Sequence, residues 1–263
     1  MTLARSADVD RLAELVRSAR SVVALTGAGI SVPSGIPDFR SPGTGLWEEV
    51  DPMEVAHIDA FRHDPVRFWR FYGDRFQSLE DKRPNGAHRA LVELERLGRL
   101  DAVITQNIDL LHRTAGSGEV VEVHGSIGTS SCPGCRASYA LDDVRARLAG
   151  GVPRCDGCGA ALKPDVVLFG EVLPEAAMSR AVELAAGAGL LLCVGSSLEV
   201  YPVAGLPSVT RRAGGRVAIV TQGPTPLDGE ADVRLRGDVV AELQALVAAL
   251  QPARAGGEWA WWA

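Results

Sequence analysis

A chain of 263 residues that is 46% hydrophobic and 23% charged has the make-up of an ordinary soluble globular protein, long enough for one large domain or two small ones. Its formal charge of −6 argues against a polyanion-binding surface and so against nucleic acid as a direct partner, and no apolar run approaches the length of a bilayer span. The N-terminus MTLARSADVDRLAELV lacks a basic end followed by an apolar core, which predicts a cytoplasmic protein with no membrane attachment.

Along the chain, apolar residues at Val9, Leu12, Ala13, Leu15, Val16 and Ala19 predict a helix over 8–20. Residues 21–25 form a β-branched run ending at Gly27, Ala28 and Gly29, a buried strand turning sharply into a loop or helix start. Glycines there let backbone N–H groups approach a pyrophosphate, although the dinucleotide pattern GxGxxG is met only as GxGxxV, with Val32 third. Pro33, Gly35, Pro37, Pro42, Gly43 and Gly45 forbid long regular structure, yet Ile36, Phe39, Leu46 and Trp47 are apolar and Asp38 and Arg40 charged, a mix that reads as a flap over a ligand. Residues 51–79 read as helical segments punctuated by Pro52 and Pro65. Their aromatics, Phe61, Phe68, Trp69, Phe71, Tyr72 and Phe76, either line a pocket or channel or form a small helical subcore.

A further amphipathic helix over 85–97 stops at Gly98, and strands over 101–105 and 120–123 each run into a polar cluster. Residues 126–162, rich in Cys, Gly and small side chains, stand apart as a module. The sheet is then expected to resume over 165–169, 189–194 and 216–221, with an edge strand at 233–235 and helices over 175–186 and 239–250. Alternation of this kind predicts an α/β fold, a Rossmann-like doubly wound parallel sheet with ligands at the C-terminal strand ends. The expected division is a discontinuous large domain (1–50, 85–125 and 163–251), a helical insertion (51–84), a zinc-binding module (126–162) and a disordered tail (252–263) carrying Trp259, Trp261 and Trp262.

Three groups of residues carry chemistry. Cys132, Cys135, Cys155 and Cys158 have the spacing C-x2-C-x19-C-x2-C, which suits tetrahedral zinc bound by thiolates alone, a closed structural site; Cys193, in LLLCVG, reads as core. Gln106, Asn107 and Asp109 follow a strand and suit a neutral carboxamide, since an amide offers donor and acceptor while the acid takes an N–H; a polar turn capping the next helix, where His112 reads as structural, is the plainer alternative. His124 ends a strand before Gly125, as a general base or a structural hydrogen-bonder. Gly195, Ser196 and Ser197 end another strand as a second phosphate or ribose contact. Tyr72 and Arg75 share one helix face, where the planar guanidinium fits a carboxylate in two places, unless Arg75 sits in a surface ion pair.

The string GAGISVPSGIPDFR, from Gly27 to Arg40, resembles the first signature of the sirtuins, NAD-dependent protein lysine deacylases. The QNID and HG stretches follow in the same order, so the resemblance spans residues 9–250. It implies NAD as a consumed co-substrate, with Gly27, Ala28, Gly29, Ile30, Pro37, Asp38, Phe39, Arg40 and Trp47 around the dinucleotide, Gln106 on the ribose, and Asn107, Ile108 and Asp109 at the nicotinamide. Gly195, Ser196 and Ser197 add to that surface, and residues 237–239, Val239 included, close the adenine side largely through backbone. Where the family usually has an Asn holding the adenosine ribose, this chain has Thr221, followed by Gln222 and Gly223, whose polar groups can still reach a hydroxyl.

The resemblance makes His124 the general base: the acyl oxygen attacks the anomeric carbon as nicotinamide leaves, His124 takes a ribose hydroxyl proton, and free lysine, nicotinamide and an acyl-ADP-ribose ester result. Residues 166–173, with Val167, Phe169, Gly170 and Glu171, resemble the segment that pairs with an extended substrate peptide, so acylated lysines of proteins are the implied partners. Tyr72 and Arg75, with the small Ala56 leaving room, resemble the class III members that bind succinyl or malonyl groups, whereas the first motif is more like the deacetylase classes; both activities are expected. The alternatives are a sirtuin-like ADP-ribosyltransferase or NAD hydrolase, and a non-enzymatic sensor of NAD or ADP-ribose.

Overall fold

The computed structural model describes residues 6–38, 43, 45, 48 and 50–251. Helix α1 (Ala7–Ser18) opens on Ser6, whose hydroxyl accepts from the Val9 amide, and leads into strand β1 (Val22–Thr26). Helices α2 (Pro52–Val55), α3 (Ile58–His63) and α4 (Pro65–Ser78) follow, then α5 (Gly86–Arg96), β2 (Ala102–Thr105), α6 (Leu111–Ala115) and β3 (Val120–Glu122). Strands β4 (Gly125–Ser131) and β5 (Ser138–Ala140), helix α7 (Leu141–Leu148) and strand β6 (Lys163–Val166) make up the cysteine-bearing region. The chain closes with α8 (Glu175–Gly187), β7 (Leu190–Val194), α9 (Leu206–Arg212), β8 (Arg216–Val220), β9 (Val233–Leu235) and α10 (Val239–Leu250).

Six strands form one parallel sheet in the order β3-β2-β1-β7-β8-β9. Its central strands, VVALT and LLLCV, are buried along their whole length because helices cover both faces. Alternate residues divide between those faces: Val22, Ala24, Leu190 and Leu192 meet α1, α5 and α10, whereas Val23, Leu25, Leu191 and Cys193 meet α8 and α9. The chain winds from β1 to β2 and β3 in one direction, then from β7 to β8 and β9 in the other. The reversal leaves a crevice at the C-terminal ends of β1 and β7.

A third apolar cluster lies away from the sheet. Val55, Ala56, Ile58, Phe61, Phe68, Trp69, Tyr72 and Phe76 from the α2–α4 region pack with Ile127, Cys132, Val144, Cys155, Leu162 and Leu168. The Trp69 indole donates to Leu162 O at 2.8 Å, and the Arg145 guanidinium to Phe76 O at 3.2 Å. The aromatic segment and the cysteine-bearing region thus share one core, and most of those rings are packing residues rather than the lining of a channel. Phe68 and Tyr72 stack at 4.5 Å between centroids, and Trp69 meets Phe76 edge-on.

The strand expected over 165–169 of the main sheet is a correction. Residues 163–166 form β6 and pair antiparallel with β4 in a separate three-stranded sheet, β5-β4-β6. KPDV buries only alternate residues, the pattern of a strand with one wet face, whereas an interior strand of the parallel sheet is buried on both. No helix among the described residues is long and apolar enough to cross a membrane.

Candidate functional site

At the crevice, the loops after β1 and β7 touch backbone to backbone. Gly27 N donates to Val194 O at 3.0 Å and Gly29 N to Gly195 O at 2.8 Å. A Cβ on Gly27 would stand 2.9 Å from Gly195 O, one on Gly29 2.8 Å from the same oxygen, and one on Gly195 (φ 60°) 2.3 Å from Ile30 N. These glycines are therefore required first by the contact of two loops with each other, a reason that the spacing alone did not supply. The amides of Ala28, Ser196 and Ser197 donate to no protein acceptor among the described residues, which leaves three unspent N–H groups on the two touching loops, donors of the kind that suit an anion.

The second polar cluster is tied into that crevice. Gln106 N donates to Thr26 O at 3.0 Å, and Gln106 Nε2 to Ser196 Oγ at 2.9 Å. Buried Asn107 gives its Nδ2 protons to Gly27 O (3.2 Å) and Ser31 Oγ (3.1 Å), and Ser31 Oγ donates to Asp109 Oδ2 at 2.6 Å. The other Asp109 oxygen accepts from Leu111 N at 2.9 Å. Burial raises the Asp109 pKa above the usual carboxylate range, against the lowering effect of the Ser31 and Leu111 bonds. Leu110, between them, has φ 65°, and Leu198 after the serine pair has φ 56°; non-glycine residues in the left-handed region store strain of order ~1 kcal/mol each, and both lie in loops of the crevice.

His124 follows β3 at the same strand-end edge. Its Nδ1 lies 3.1 Å from Gln106 O. A carbonyl only accepts, so Nδ1 carries the proton and Nε2 keeps its lone pair. Burial lowers the His124 pKa, with the Gln106 carbonyl acting in the opposite sense, which keeps the ring neutral and basic at Nε2 near pH 7. Its own carbonyl accepts from Val167 N at 2.8 Å, fastening the 166–173 segment to the same corner.

In that segment Phe169 pairs with the turn before α3, giving N–H to Ala56 O (2.9 Å) and accepting from Ile58 N (2.9 Å). Glu171 accepts from Leu168 N and pairs with Lys163 at 2.9 Å, so its carboxylate holds the turn. Gly170 has φ 84°. Tyr72 is buried and desolvation pushes its phenol up to about 12; Arg75, half-buried with its guanidinium 5.0 Å from the Phe71 ring centroid, has its pKa lowered by burial. No carboxylate among the described residues pairs with Arg75.

At the adenine side expected from sequence, Thr221 N donates to Leu235 O at 3.1 Å and Gln222 is exposed. The Val239 side chain is buried in the core below the sheet at the start of α10, so any contact there runs through backbone. Pro37 is exposed and Asp38 half-buried, while Phe39, Arg40 and Trp47 lie outside the described residues. The sequence reading omitted Ser31, although it stands inside the GAGIS string and bridges Asn107 to Asp109. It also omitted Asn85, which gives Nδ2 to Ile30 O and Ser34 Oγ while Oδ1 caps α5.

The four cysteine sulfurs all lie within 4.8 Å of one another, as expected of thiolates around one zinc ion, where Zn–S bonds of about 2.3 Å put the sulfurs roughly 3.8 Å apart. The two knuckles repeat each other: Arg136 N donates to Cys132 O and Gly159 N to Cys155 O, and Arg136 (φ 63°) and Gly159 (φ 73°) occupy the same left-handed corner. With no open position in a four-thiolate set, the ion is structural.

Among known proteins, the model of the Sir2 family matches residues 27–202. An NAD-dependent protein deacetylase of Sulfolobus acidocaldarius is 44% identical over 246 residues, 93% of this chain and 96% of that protein. One from Caldivirga maquilingensis is 48% identical over 227 residues, 86% of this chain and 87% of that protein. A solved Sir2 variant holding a deacetylated p53 peptide and 3′-O-acetyl ADP-ribose superposes with a TM-score of 0.88 at 41% identity, covering 91% of this chain and 97% of that one.

Proposed function

The chain belongs to the Sir2 family, and from that premise we propose that it removes acyl groups from protein lysines, both acetyl and acidic ones, by transferring them to the ADP-ribose of NAD. The observation that carries this reading is the meeting of His124, Gln106, Asn107 and the Gly27–Gly195 contact in one crevice. NAD supplies an electrophilic ribose carbon when its nicotinamide leaves. Asn107 and Asp109 hold the carboxamide, Gln106 and Ser196 orient the ribose, and the Ala28, Ser196 and Ser197 amides receive the pyrophosphate. His124 Nε2 takes the proton from a ribose hydroxyl, and Nδ1–H bound to Gln106 O fixes the tautomer that makes this possible.

The substrate peptide pairs along the 166–173 segment, which Phe169 anchors to residues 56–58, through backbone bonds with little demand on sequence. The acyl chain reaches past Ala56 toward Tyr72 and Arg75. An Arg with no carboxylate partner among the described residues, over an aromatic ring in a partly desolvated position, is a receptor for a distal carboxylate. Mass analysis of products from acetylated and succinylated forms of one peptide tests this. Arg75→Met should lower desuccinylation about 10- to 100-fold, as expected for losing a charge-assisted pair, and leave deacetylation nearly unchanged. Equal desuccinylation by both enzymes rejects the acidic pocket, and ADP-ribose released without deacylation favours the hydrolase reading. His124→Ala should retain NAD binding and lose turnover by about 10²- to 10⁴-fold.

A further inference from the structure

The second knuckle of the cysteine site is gripped by side chains in a way the first is not. Tyr139, on β5, lies between the two cysteine pairs in sequence, yet its hydroxyl reaches the second pair, 3.4 Å from Cys155 Sγ. The same oxygen accepts from Asp156 N at 2.8 Å. That amide can only donate, so the phenolic proton is left for the sulfur. Arg147, on α7, stacks its guanidinium 4.8 Å from the Tyr139 ring centroid and bonds both Asp156 oxygens at 2.7 Å. It also donates to Arg154 O at 3.4 Å, so it holds the residues on both sides of Cys155. At the first knuckle, Cys132 Sγ accepts from the Cys135 amide at 3.4 Å, and no side-chain hydroxyl or cation among the described residues does the same.

We propose that Tyr139, braced by Arg147 and Asp156, is a zinc-retaining residue, its hydroxyl donating to the Cys155 thiolate. Four thiolates around Zn²⁺ carry a net charge of −2, and a phenolic O–H with a guanidinium behind it drains charge from one sulfur. The bond makes Cys155 a poorer base and a poorer target for protons, chelators and oxidants. Burial divides the sulfurs in the same sense: Cys135 and Cys158 are exposed, Cys132 and Cys155 buried. A competitor meets the two exposed sulfurs first, and Tyr139 keeps Cys155 on the metal while an outer ligand is displaced. The retained ion matters beyond its knuckles, because Cys132 and Cys155 belong to the same apolar cluster as Ala56 and Tyr72. The inference rests on the zinc assignment, which the first measurement checks separately.

The full-length protein is purified, its zinc stoichiometry measured, and zinc transfer to excess colorimetric chelator followed at neutral pH for wild type, Tyr139→Phe, Arg147→Met and the exposed Tyr201→Phe. Tyr139→Phe keeps the ring and loses only the hydroxyl. It should release zinc about tenfold faster, the lower end of what loss of an outer-shell partner does to metal binding, with Arg147→Met intermediate and Tyr201→Phe like wild type. With Co²⁺ in place of zinc, the sulfur-to-metal charge-transfer band of Tyr139→Phe should move to longer wavelength, because a thiolate without its hydrogen bond is more electron-rich; a residue that only packs would not shift it. Wild-type protein without zinc overturns the metal assignment and the inference together. Zinc-loaded Tyr139→Phe with wild-type release and an unshifted band overturns the inference alone.

Discussion

Acidification should destabilise this protein through a pair of histidines that take no part in its chemistry. His88 on α5 and His112 on α6 are 0% and 2% exposed, with ring centroids 4.8 Å apart. His112 Nε2 lies 2.9 Å from Thr26 Oγ1, while His112 Nδ1 and both nitrogens of His88 have no partner among the described residues. Burial, with Arg89 adding to it, pushes His88 down to about 4; burial and the neighbouring His88 push His112 down to about 3. In the unfolded chain both rings take up protons as pH falls through about 6.5, and in the fold they stay neutral until much lower pH. Their contribution is therefore complete above about pH 6.5 and erodes below it, by about 1.4 kcal/mol per pH unit for each ring. From pH 7 to pH 5 the loss is about 2 kcal/mol per histidine and about 4 kcal/mol for the pair, a large part of the roughly 5–15 kcal/mol that holds a domain folded. Urea unfolding of the zinc-saturated protein at both pH values, with His88→Phe beside wild type, measures it. Other titrating groups, among them His124, Asp109 and Glu95, are common to both proteins and cancel. The variant should lose about 2 kcal/mol less than wild type between the two pH values. An equal loss would refute the idea that His88 stays neutral in the fold.

Gly29→Ala should destabilise by about 1–3 kcal/mol and raise the KM for NAD, because its Cβ would stand 2.8 Å from Gly195 O; Gly187→Ala, whose Cβ meets nothing within 4 Å, should be neutral or slightly stabilising in the same thermal melts. Asn85→Ala removes the α5 cap and two bonds to the 30–34 turn, so about 2 kcal/mol of stability should go. In steady-state kinetics its KM for NAD should rise while that for peptide does not. Stripping the cysteine site with a strong chelator should loosen the cluster it shares with α4. Tryptophan emission should then shift to the red, a shift that Trp69→Phe diminishes, while the parallel sheet keeps its circular dichroism.

The order of elements was legible in the sequence because local pattern decides it. VVALT and LLLCV cannot be wetted, 239–250 carries its own stripe behind an Asp cap, and the cysteine spacing admits few readings besides zinc. Strand 163–166 was misplaced because a short apolar run does not say which sheet it joins; β4, brought beside it by the chain path, made that choice. The aromatics of 51–79 could not be divided between packing and pocket for the same reason: the partner that buries Trp69 is Leu162, ninety-three residues away.

The sequence alone determined which chemistry is present: an imidazole, an amide and carboxylate pair, two glycine turns and four thiolates, each at the end or corner of an element its neighbours specify. The tertiary structure alone decided what each meets. It gave the glycines a backbone to touch and brought Ser31 between Asn107 and Asp109. It set the proton of His124 by facing Nδ1 to a carbonyl eighteen residues distant in the chain. Such contacts depend on where separate strands end relative to one another, and that is fixed only when the parallel sheet assembles and its two windings part at β1 and β7.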